Sequence, residues 1–241
     1  MKTVLITGSS QGIGRQAAIL FAKQNWNVII HGFHHKEALD SLSEELQEIG
    51  VNFLSFLGDI GDSEFTKHMI KEALSHFHSI DCLVNNAGIS QVGLFTDTTF
   101  DDWMNIIQTN LLSAISTSHA LLPSMISNKS GRIINISSVW GSVGASCEVL
   151  YSMTKGGINS FTKALAKEVA PSHIAVNAIA FGMIDTEMNS CFSEEEKQEI
   201  CDEIPADYIA SPEEAAQMIY HTATAPFYMT GEVITFSGAW S

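Results

Sequence analysis

The chain has 241 residues, of which 45% are hydrophobic, and it contains 17 Gly and only 5 Pro. A chain of this length buries the core of one compact domain, so we expect residues 1–241 to form a single domain. The net charge of −15 argues against a nucleic-acid surface, because binding to phosphates requires clustered cations.

The four cysteines, Cys82, Cys147, Cys191 and Cys201, have neither the spacing of metal ligands nor that of a redox CxxC pair. They predict reduced thiols without a metal, and therefore a cytoplasmic protein. The apolar run at residues 3–7 is too short for a signal peptide or a membrane span. We interpret it as a first strand and expect no contact with a membrane.

Apolar runs of strand length alternate with amphipathic stretches of helical length, which is typical of βαβ units. Strands that are apolar throughout are covered on both faces, as in a parallel sheet between two helix layers. We therefore predict an α/β fold with a doubly wound, seven-stranded parallel sheet. The predicted strands are residues 4–7, 27–31, 51–57, 81–85, 132–137, 174–180 and 233–236, and the predicted helices are residues 14–23, 36–49, 63–76, 100–127, 150–170 and 211–224.

One long insertion, residues 182–207, interrupts this alternation with a polar, acidic helix at residues 193–204. In an open α/β sheet the ligand binds at the carboxyl ends of the strands, where this insertion emerges. We interpret the insertion as a substrate lid.

A glycine-rich turn at residues 7–14 follows the first strand and leads into a helix. Gly8, Gly12 and Gly14 allow the backbone to turn tightly and to approach a pyrophosphate, and the helix N-terminus offers free N–H groups to the anion. The spacing is G-x-x-x-G-x-G, and glycine turns of this kind also occur without a ligand. The turn therefore suggests that the chain binds a dinucleotide, and this hypothesis depends on the residues that follow the later strands.

Polar residues follow the third and fourth predicted strands. Asp59 follows the third, and the sequence Asn-Asn-Ala-Gly at residues 85–88 follows the fourth. Both lie beside the first strand, where the adenine and its ribose bind in a doubly wound sheet. Asp59 can instead cap a helix, and Asn85 can instead join neighbouring loops through its amide.

Tyr151 and Lys155 lie four residues apart in the predicted helix 150–170, so the phenol and the ammonium share one face. Ser138 precedes them in a glycine-flanked loop near the same cleft. Reduction of a ketone needs a proton donor, a cation that lowers the phenol pKa, and a hydroxyl that orients the carbonyl. Asn110 can hold a water that links Lys155 to solvent, or it can bond to a backbone carbonyl.

Five motifs in one order resemble the short-chain dehydrogenase/reductase family over the whole chain: T-G-x-x-x-G-x-G at residues 7–14, N-N-A-G at 85–88, Asn110, Ser138 and Y-x-x-x-K at 151–155. The resemblance implies a Rossmann fold, an NAD(P)(H)-dependent ketone reductase or alcohol dehydrogenase, catalysis by Asn110, Ser138, Tyr151 and Lys155, and usually a homotetramer built on two long helices. The cofactor-binding residues that it implies are Gly8, Ser10, Gln11, Gly12, Ile13, Gly14, His34, Asp59, Ile60, Asn86, Ala87, Gly88, Tyr151, Lys155, Gly182, Ile184 and Thr186.

The sequence departs from the family pattern at two places. The usual proline-glycine pair after the sixth strand is Phe181-Gly182, which makes the backbone less stiff beside the nicotinamide, and the closing glycine pair is Gly238-Ala239. Ile184 and Thr186 still match the segment that binds the carboxamide. A nucleotide-sensing regulator that lost its chemistry is the non-enzymatic alternative, and the intact catalytic residues argue against it.

We predict a preference for NADP(H) over NAD(H). An NAD-selective site holds the ribose hydroxyls with a carboxylate near the end of the second strand, and residues 31–36 contain no acidic residue. Ser10, His34, His35 and Lys36 are placed to meet a 2′-phosphate, although Gln11 replaces the arginine common in NADPH-dependent members. The alternative is that the histidines are solvated loop residues.

Three substrates remain open. The chain is similar to the 3-oxoacyl-acyl-carrier-protein reductases of fatty acid biosynthesis, but of their carrier-docking basic residues only Lys129 is matched, and Ser172 stands at the other position. Residues 140–152 and 202–205 are similar to the elongation factor P 5-aminopentanone reductases. A small-molecule or steroid alcohol dehydrogenase is the third alternative.

Substrate contacts are predicted for Ser138, Glu148 and Tyr151. A carboxylate at Glu148, together with the acidic lid, favours a cationic substrate over an anionic one. Glu148 can instead cap the catalytic helix, whose N-terminus favours a negative charge.

Overall fold

A computed structural model describes residues 1–190 and 192–240, so the predicted free thiol of Cys191 lies outside the described residues. The strands form one parallel sheet in the order β3-β2-β1-β4-β5-β6-β7, which confirms the predicted doubly wound α/β fold. The strands are β1 (Thr3–Ile6), β2 (Asn27–Gly32), β3 (Phe53–Leu57), β4 (Cys82–Asn85), β5 (Gly131–Ser138), β6 (Ile174–Phe181) and β7 (Val233–Phe236).

The helices cover both faces of the sheet. They are α1 (Gly12–Lys23), α2 (Lys36–Ile49), α3 (Ser63–Phe77), α4 (Phe100–Ile107), α5 (Ser113–Asn128), α6 (Trp140–Val143), α7 (Val149–Val169), α8 (Glu194–Glu203) and α9 (Pro212–Thr224). Successive side chains of β1 alternate between the faces: Val4 and Ile6 pack with residues of α1, α2 and α9, and Leu5 packs with residues of α3, α5 and α7. Because both faces are buried, the strands read as continuous apolar runs.

The predicted helix 100–127 contains one irregularity. A π-helical turn, Gln108–Leu112, separates α4 from α5 and contains Asn110. An inserted π-turn widens the helix locally and redirects one side chain, and such turns are frequent at functional sites. The periodicity predicted the long helix but not this turn.

The crossover order places the carboxyl ends of β1, β4, β5 and β6 along one edge of the sheet. The segments after those strands carry the glycine-rich turn, residues 85–88, Ser138 and residues 182–186. The insertion 182–207 leaves from this edge, as predicted, and contains α8. The fold therefore brings these four segments to one cleft.

Candidate active site

A cavity of about 550 Å³ lies in this cleft. Ser138, Tyr151 and Lys155 line one wall, and Met188, Phe192 and Ile200 of the insertion line another. The other predicted site residues on its surface are Ile13, Asn86, Gly88, Glu148, Gly182, Ile184 and Thr186.

Tyr151 and Lys155 lie on the first two turns of α7, and Lys155 Nζ is 5.4 Å from the centroid of the Tyr151 ring. The Lys155 side chain is buried and donates a hydrogen bond from Nζ to the carbonyl oxygen of Ile136 at 2.9 Å. This bond to β5 fixes the ammonium beneath the cavity. The predicted one-face arrangement of the phenol and the ammonium is present.

The electrostatics of the pair differ from expectation. Burial, followed by the charge of Glu148, raises the pKa of Tyr151 to about 12, although a hydrogen bond with Ser138 acts in the lowering direction. Burial lowers the pKa of Lys155 to about 8. The Tyr151 pKa is therefore raised and not lowered as expected, because the loss of hydration on burial disfavours the charged phenolate and is the largest cause of the shift.

Ser138 ends β5, and its Oγ accepts a hydrogen bond from the backbone N–H of Trp140 at 3.2 Å. This bond turns the chain into α6 and leaves the hydroxyl at the cavity wall. The serine can therefore donate its proton to an acceptor in the cavity while its oxygen remains fixed by the backbone.

Asn110 is buried and bonds to the backbone of Ile89 through both ends of its amide. Its Oδ1 accepts from Ile89 N at 2.7 Å, and its Nδ2 donates to Ile89 O at 2.8 Å. The alternative predicted for Asn110, a hydrogen bond to a backbone carbonyl, is therefore present. The carbonyl is that of Ile89, in the loop after β4. Asn110 lies directly behind Gly88, since a Cβ built on Gly88 would be 3.4 Å from Asn110 Oδ1.

The glycine turn after β1 has the geometry expected of an anion cradle. Gly8 and Gly12 have φ of +63° and +55°, and a Cβ on Gly14 would lie 2.4 Å from the Gly8 carbonyl oxygen. Gln11 occupies the N-cap of α1 without a side-chain hydrogen bond, so the first N–H groups of the helix are not capped by it. Ser10 is buried beside Gly32, and Ile13 reaches the cavity.

Residues 85–88 divide into a structural and a site-facing part. The Asn85 amide is buried and bonds to Ser118, Asn135 and Thr117, which supports the structural alternative for this residue. Asn86 Nδ2 donates to the carbonyl oxygens of Thr7 and Gly8 and faces the cavity, while the Ala87 N–H donates to the Thr7 hydroxyl.

Asp59 does not cap a helix. Its Oδ1 accepts from Gly61 N at 2.7 Å, and α3 is capped instead by Asp62, which accepts from Glu64 N at 2.8 Å. Ile60 is buried beside it. The two residues therefore form the turn after β3, at the same edge of the sheet as the glycine turn.

The residues after β2 are exposed. The His34 ring contacts the Phe33 ring at a tilt of 37° with centroids 3.8 Å apart, and Lys36 forms a surface ion pair with Asp40. Surface pairs of this kind contribute little free energy, so Lys36 remains able to bind another anion. His35 occupies the N-cap of α2 without a side-chain cap bond.

Glu148 faces the cavity. It occupies the N-cap position of α7, but its side chain makes no capping hydrogen bond. Its Oε1 instead accepts from the Ser90 hydroxyl at 2.7 Å. Glu148 therefore does not cap α7 through a hydrogen bond, although its charge lies at the N-terminus of the helix, as the structural alternative predicted.

The departures from the family pattern have distinct local structures. Phe181 extends β6 by one residue, pairs with Ser138 and Phe236 in the sheet, and is buried. The Gly182 N–H donates to Phe236 O at 2.9 Å. The expected loss of stiffness is therefore offset by regular pairing, whereas Ala239 adopts a left-handed φ of +68° that favours glycine.

Several residues at the site were not predicted from the sequence. Trp140 and Trp240 both line the cavity and contact each other edge to face, with centroids 5.0 Å apart, and Trp240 Nε1 donates to Glu203 at 3.4 Å. Ser90 belongs to a long segment between β4 and α4 that the alternation did not predict. A tryptophan at the chain end carries no local signal, because its partner lies far away in the sequence.

The cleft fits a nicotinamide dinucleotide. Uncapped N–H groups of α1 suit a pyrophosphate, and a Cβ on Gly88 would lie 3.6 Å from Lys155 Nζ, so that glycine leaves room beside the ammonium. A doubly wound sheet with this turn and a Tyr–Lys pair at its edge defines a class of nucleotide-dependent oxidoreductase. The chain belongs to the short-chain dehydrogenase family, whose model, described as short chain dehydrogenase, matches residues 2–197.

Curated relatives match nearly the whole chain. An uncharacterized oxidoreductase of Bacillus subtilis, YmfI, is 40% identical in an alignment of 241 positions that covers 99% of this chain and 98% of the relative. The 3-oxoacyl-[acyl-carrier-protein] reductase FabG of Staphylococcus aureus is 35% identical over 238 residues, covering 98% and 97%. FabG of Aquifex aeolicus is 38% identical over 238 residues, covering 98% and 96%.

These relatives confirm that the chain is an enzyme of the ketone reductase and alcohol dehydrogenase type, in a family that binds NAD(P)(H). The regulator alternative is therefore set aside. Within residues 1–190 and 192–240, the helices are too short or too polar to cross a membrane.

Proposed function

We propose that the protein reduces a keto group to a hydroxyl with NADPH as the hydride donor. The observation that carries this proposal is the common cavity wall formed by Ser138, Tyr151 and Lys155, with Lys155 Nζ 5.4 Å from the Tyr151 ring. NADPH, when bound, supplies the hydride; the protein supplies the proton and orients the carbonyl.

In this proposal Tyr151 donates the proton to the substrate oxygen. Its pKa of about 12 keeps the phenol protonated at neutral pH, which is the form that reduction requires. Ser138 donates a hydrogen bond to the same oxygen and stabilises its growing negative charge. Lys155 stabilises negative charge on the phenol, and Asn110 holds the loop behind Gly88 in place.

The cofactor is proposed to lie along the carboxyl edge of the sheet. Its pyrophosphate binds at residues 8–14, its adenosine half near His34, Asp59 and Ile60, and its nicotinamide between residues 86–88 and residues 182–186. Gly182, Ile184 and Thr186 line the cavity beside Lys155, which supports the last assignment.

The preference for NADPH is proposed on the chemistry of the segment after β2. His34 and Lys36 are exposed there and no carboxylate lies at residues 31–36. We expect a higher kcat/KM with NADPH than with NADH. His34→Asp should reverse the ratio because the new carboxylate repels a 2′-phosphate, whereas His68→Asp, the same charge change on α3, should not. Equal efficiencies in the parent contradict the preference.

The first substrate candidate is a 3-oxoacyl thioester on an acyl carrier protein, as the names of the Staphylococcus and Aquifex relatives say of those proteins. Lys129, the matched docking residue, ends α5 immediately before β5 and so lies at the amino edge of the sheet. The cavity lies at the opposite edge. Docking at Lys129 therefore requires a long acyl arm or delivery to a neighbouring subunit.

The second candidate is a cationic amino ketone, such as the 5-aminopentanone group on a lysine of elongation factor P. Glu148 and Glu203 both line the cavity, and among its described lining residues Lys155 is the only basic side chain. Two carboxylates and one ammonium give the described lining of the cavity a net negative charge. This observation favours a cation over an anionic arm.

A substrate panel with NADPH tests the two candidates. It contains a neutral 3-oxoacyl thioester, a cationic amino ketone and the same amino ketone with its nitrogen acetylated. A higher kcat/KM for the amino ketone than for its acetylated form supports the second candidate. Turnover of the thioester alone supports the first, and turnover of none of the three contradicts the proposed reaction.

We also propose that the chain is a single domain, that residues 182–207 act as its lid, and that it forms a homotetramer in the cytoplasm. Exposed apolar side chains at Leu112 on the π-turn and Met153 on α7 support packing against a second copy. Light scattering of the purified protein tests the assembly, and a monomer contradicts it.

A further inference from the structure

His31, in β2, is almost completely buried, with 1% of its surface exposed, and both of its ring nitrogens are engaged. Nδ1 accepts a hydrogen bond from the backbone N–H of Gly8 at 3.2 Å. Nε2 lies 2.9 Å from the carbonyl oxygen of Gly58 and donates to it. The His31 side chain therefore connects the turn after β1 with the turn after β3.

The proposed function assigns the first of these turns to the pyrophosphate of the cofactor and the second to its adenosine half. Gly8 begins the pyrophosphate turn, and Gly58 immediately precedes Asp59 and Ile60. The Gly8 carbonyl is fixed as well, because it accepts from Asn86 Nδ2 at 2.9 Å. Both polar groups of the Gly8 backbone are thus held by side chains, one from β2 and one from the loop after β4.

The bonding partners determine the chemical form of the ring. A backbone N–H can only donate, so Nδ1 must be unprotonated, and a carbonyl can only accept, so Nε2 must carry the proton. The neutral Nε2–H tautomer is the form that satisfies both turns. Besides these backbone groups the ring packs against Phe65 of α3, and Asp59 is the charged group that acts on it.

We infer that His31 is a positioning residue for cofactor binding: its neutral ring holds the Gly8 peptide in the conformation that forms the pyrophosphate cradle. This inference rests on the proposed function. The bond to Gly8 fixes a left-handed glycine whose displacement would move the start of α1, because Gly14 leaves no free space beside the Gly8 carbonyl. Loss of that bond should weaken cofactor binding and leave the chemical step unaffected.

Two substitutions of His31 by amide side chains distinguish the hydrogen bond to Gly8 from the hydrogen bond to Gly58. An Asn side chain places its Oδ1 where Nδ1 of His lies, so His31→Asn keeps an acceptor for Gly8 N and loses the bond to Gly58. A Gln side chain places its Nε2 near the position of the His Nε2, so His31→Gln keeps the donor to Gly58 and loses the acceptor for Gly8. His68→Gln is a matched control, because the His68 side chain on α3 is 72% exposed.

The experiment measures the NADPH dissociation constant by fluorescence titration, kcat at saturating NADPH, the thermal midpoint, and amide hydrogen exchange at Gly8. We expect His31→Gln to bind NADPH at least tenfold more weakly, as loss of about one hydrogen bond predicts, and to exchange the Gly8 amide faster. His31→Asn should stay within about threefold of the parent, and kcat should change less than about twofold in both. His68→Gln should match the parent.

Equal NADPH affinity in His31→Gln and the parent overturns the inference. An equal loss of NADPH affinity in His31→Asn and His31→Gln, with an unchanged exchange rate of the Gly8 amide, also overturns it. If His31→Gln does not fold, His31→Asn decides alone. It must bind NADPH as tightly as the parent, and its Gly8 amide must exchange as slowly as that of the parent. A parent that binds neither NADPH nor NADH contradicts the proposed function instead, while Gly8 exchange in the variants still tests the bond.

Discussion

The Glu148 carboxylate accepts a hydrogen bond from the Ser90 hydroxyl at 2.7 Å, and this bond holds the side chain of the α7 N-cap residue beside the cavity. Ser90 directly follows Ile89, whose backbone is held on both sides by the Asn110 amide. A buried asparagine in the π-turn is thus connected, through one loop, to a carboxylate that lines the cavity.

Glu148→Gln tests whether this carboxylate selects charge. The substitution keeps an acceptor for Ser90 and removes the negative charge. We expect the ratio of kcat/KM for a cationic amino ketone to that for a neutral 3-oxoacyl thioester to fall roughly tenfold, which corresponds to about 1.4 kcal/mol. Glu195→Gln, on the exposed side of the lid, is the matched control and should leave the ratio unchanged. An unchanged ratio in Glu148→Gln means that Glu148 does not select charge.

Tyr151→Phe tests the proton donor. The phenyl ring keeps the packing of the side chain but has no transferable proton, so kcat should drop by about a hundredfold or more. The NADPH dissociation constant should stay within about threefold of the parent value. Steady-state kinetics and a cofactor titration measure the two quantities. If the variant turns over at a rate comparable to that of the parent, another group donates the proton.

The stability of the protein should fall on mild acidification because of His31. Burial lowers the pKa of this histidine from its ordinary value of 6.5, so the unfolded chain binds the proton more readily than the folded chain. The free energy of unfolding should therefore be constant above about pH 7 and decrease as the pH falls below 6.5, with a limiting slope of about 1.4 kcal/mol per pH unit. Urea unfolding between pH 5 and 7 measures this slope.

His31→Asn removes the titrating group and should flatten the slope in that window, although the variant starts from a lower stability. His68→Asn replaces an exposed histidine and should keep the parental slope. The same slope in the parent and in His31→Asn would mean that another group causes the pH dependence.

Ala239→Gly should stabilise the protein. Ala239 has a φ of +68°, a left-handed conformation that costs an L-residue about 1 to 2 kcal/mol, and glycine relieves this strain at an entropic cost of about 0.5 to 1 kcal/mol. We expect a net gain of about 0.5 to 1 kcal/mol in a thermal or urea unfolding measurement. Ala225 has an unstrained φ of −60°, so Ala225→Gly relieves no strain and should destabilise the protein. A lower midpoint for Ala239→Gly is the contrary result.

The strands and most helices could be predicted because burial on both faces of a parallel sheet leaves apolar runs of strand length. The N-terminus of α9 is an example: Ser211 caps it together with Glu214, as the sequence Ser-Pro-Glu-Glu predicts. The π-turn around Asn110 was not predictable in this way, since it depends on the bond to Ile89 across the sheet edge and not on the composition of the helix.

Only part of the site could be predicted from the sequence, for a similar reason. Tyr151 and Lys155 share a helix face, so their spacing alone brings them together. Their pKa values could not be predicted from spacing, because burial of both groups depends on everything packed around α7. His31 shows the same limit: its function depends on Gly8 and Gly58, which are distant in sequence and meet only through the pairing of β1, β2 and β3.

The edge-to-face contact of Trp140 and Trp240 gives the protein an internal optical reporter. The remaining tryptophans, Trp26 against Phe21 in the core and Trp103 of α4 against Phe95, are not among the residues that line the cavity. A ligand that enters the cavity therefore meets the first pair directly. The indole emission of Trp140 and Trp240 can therefore follow ligand binding in real time without a label.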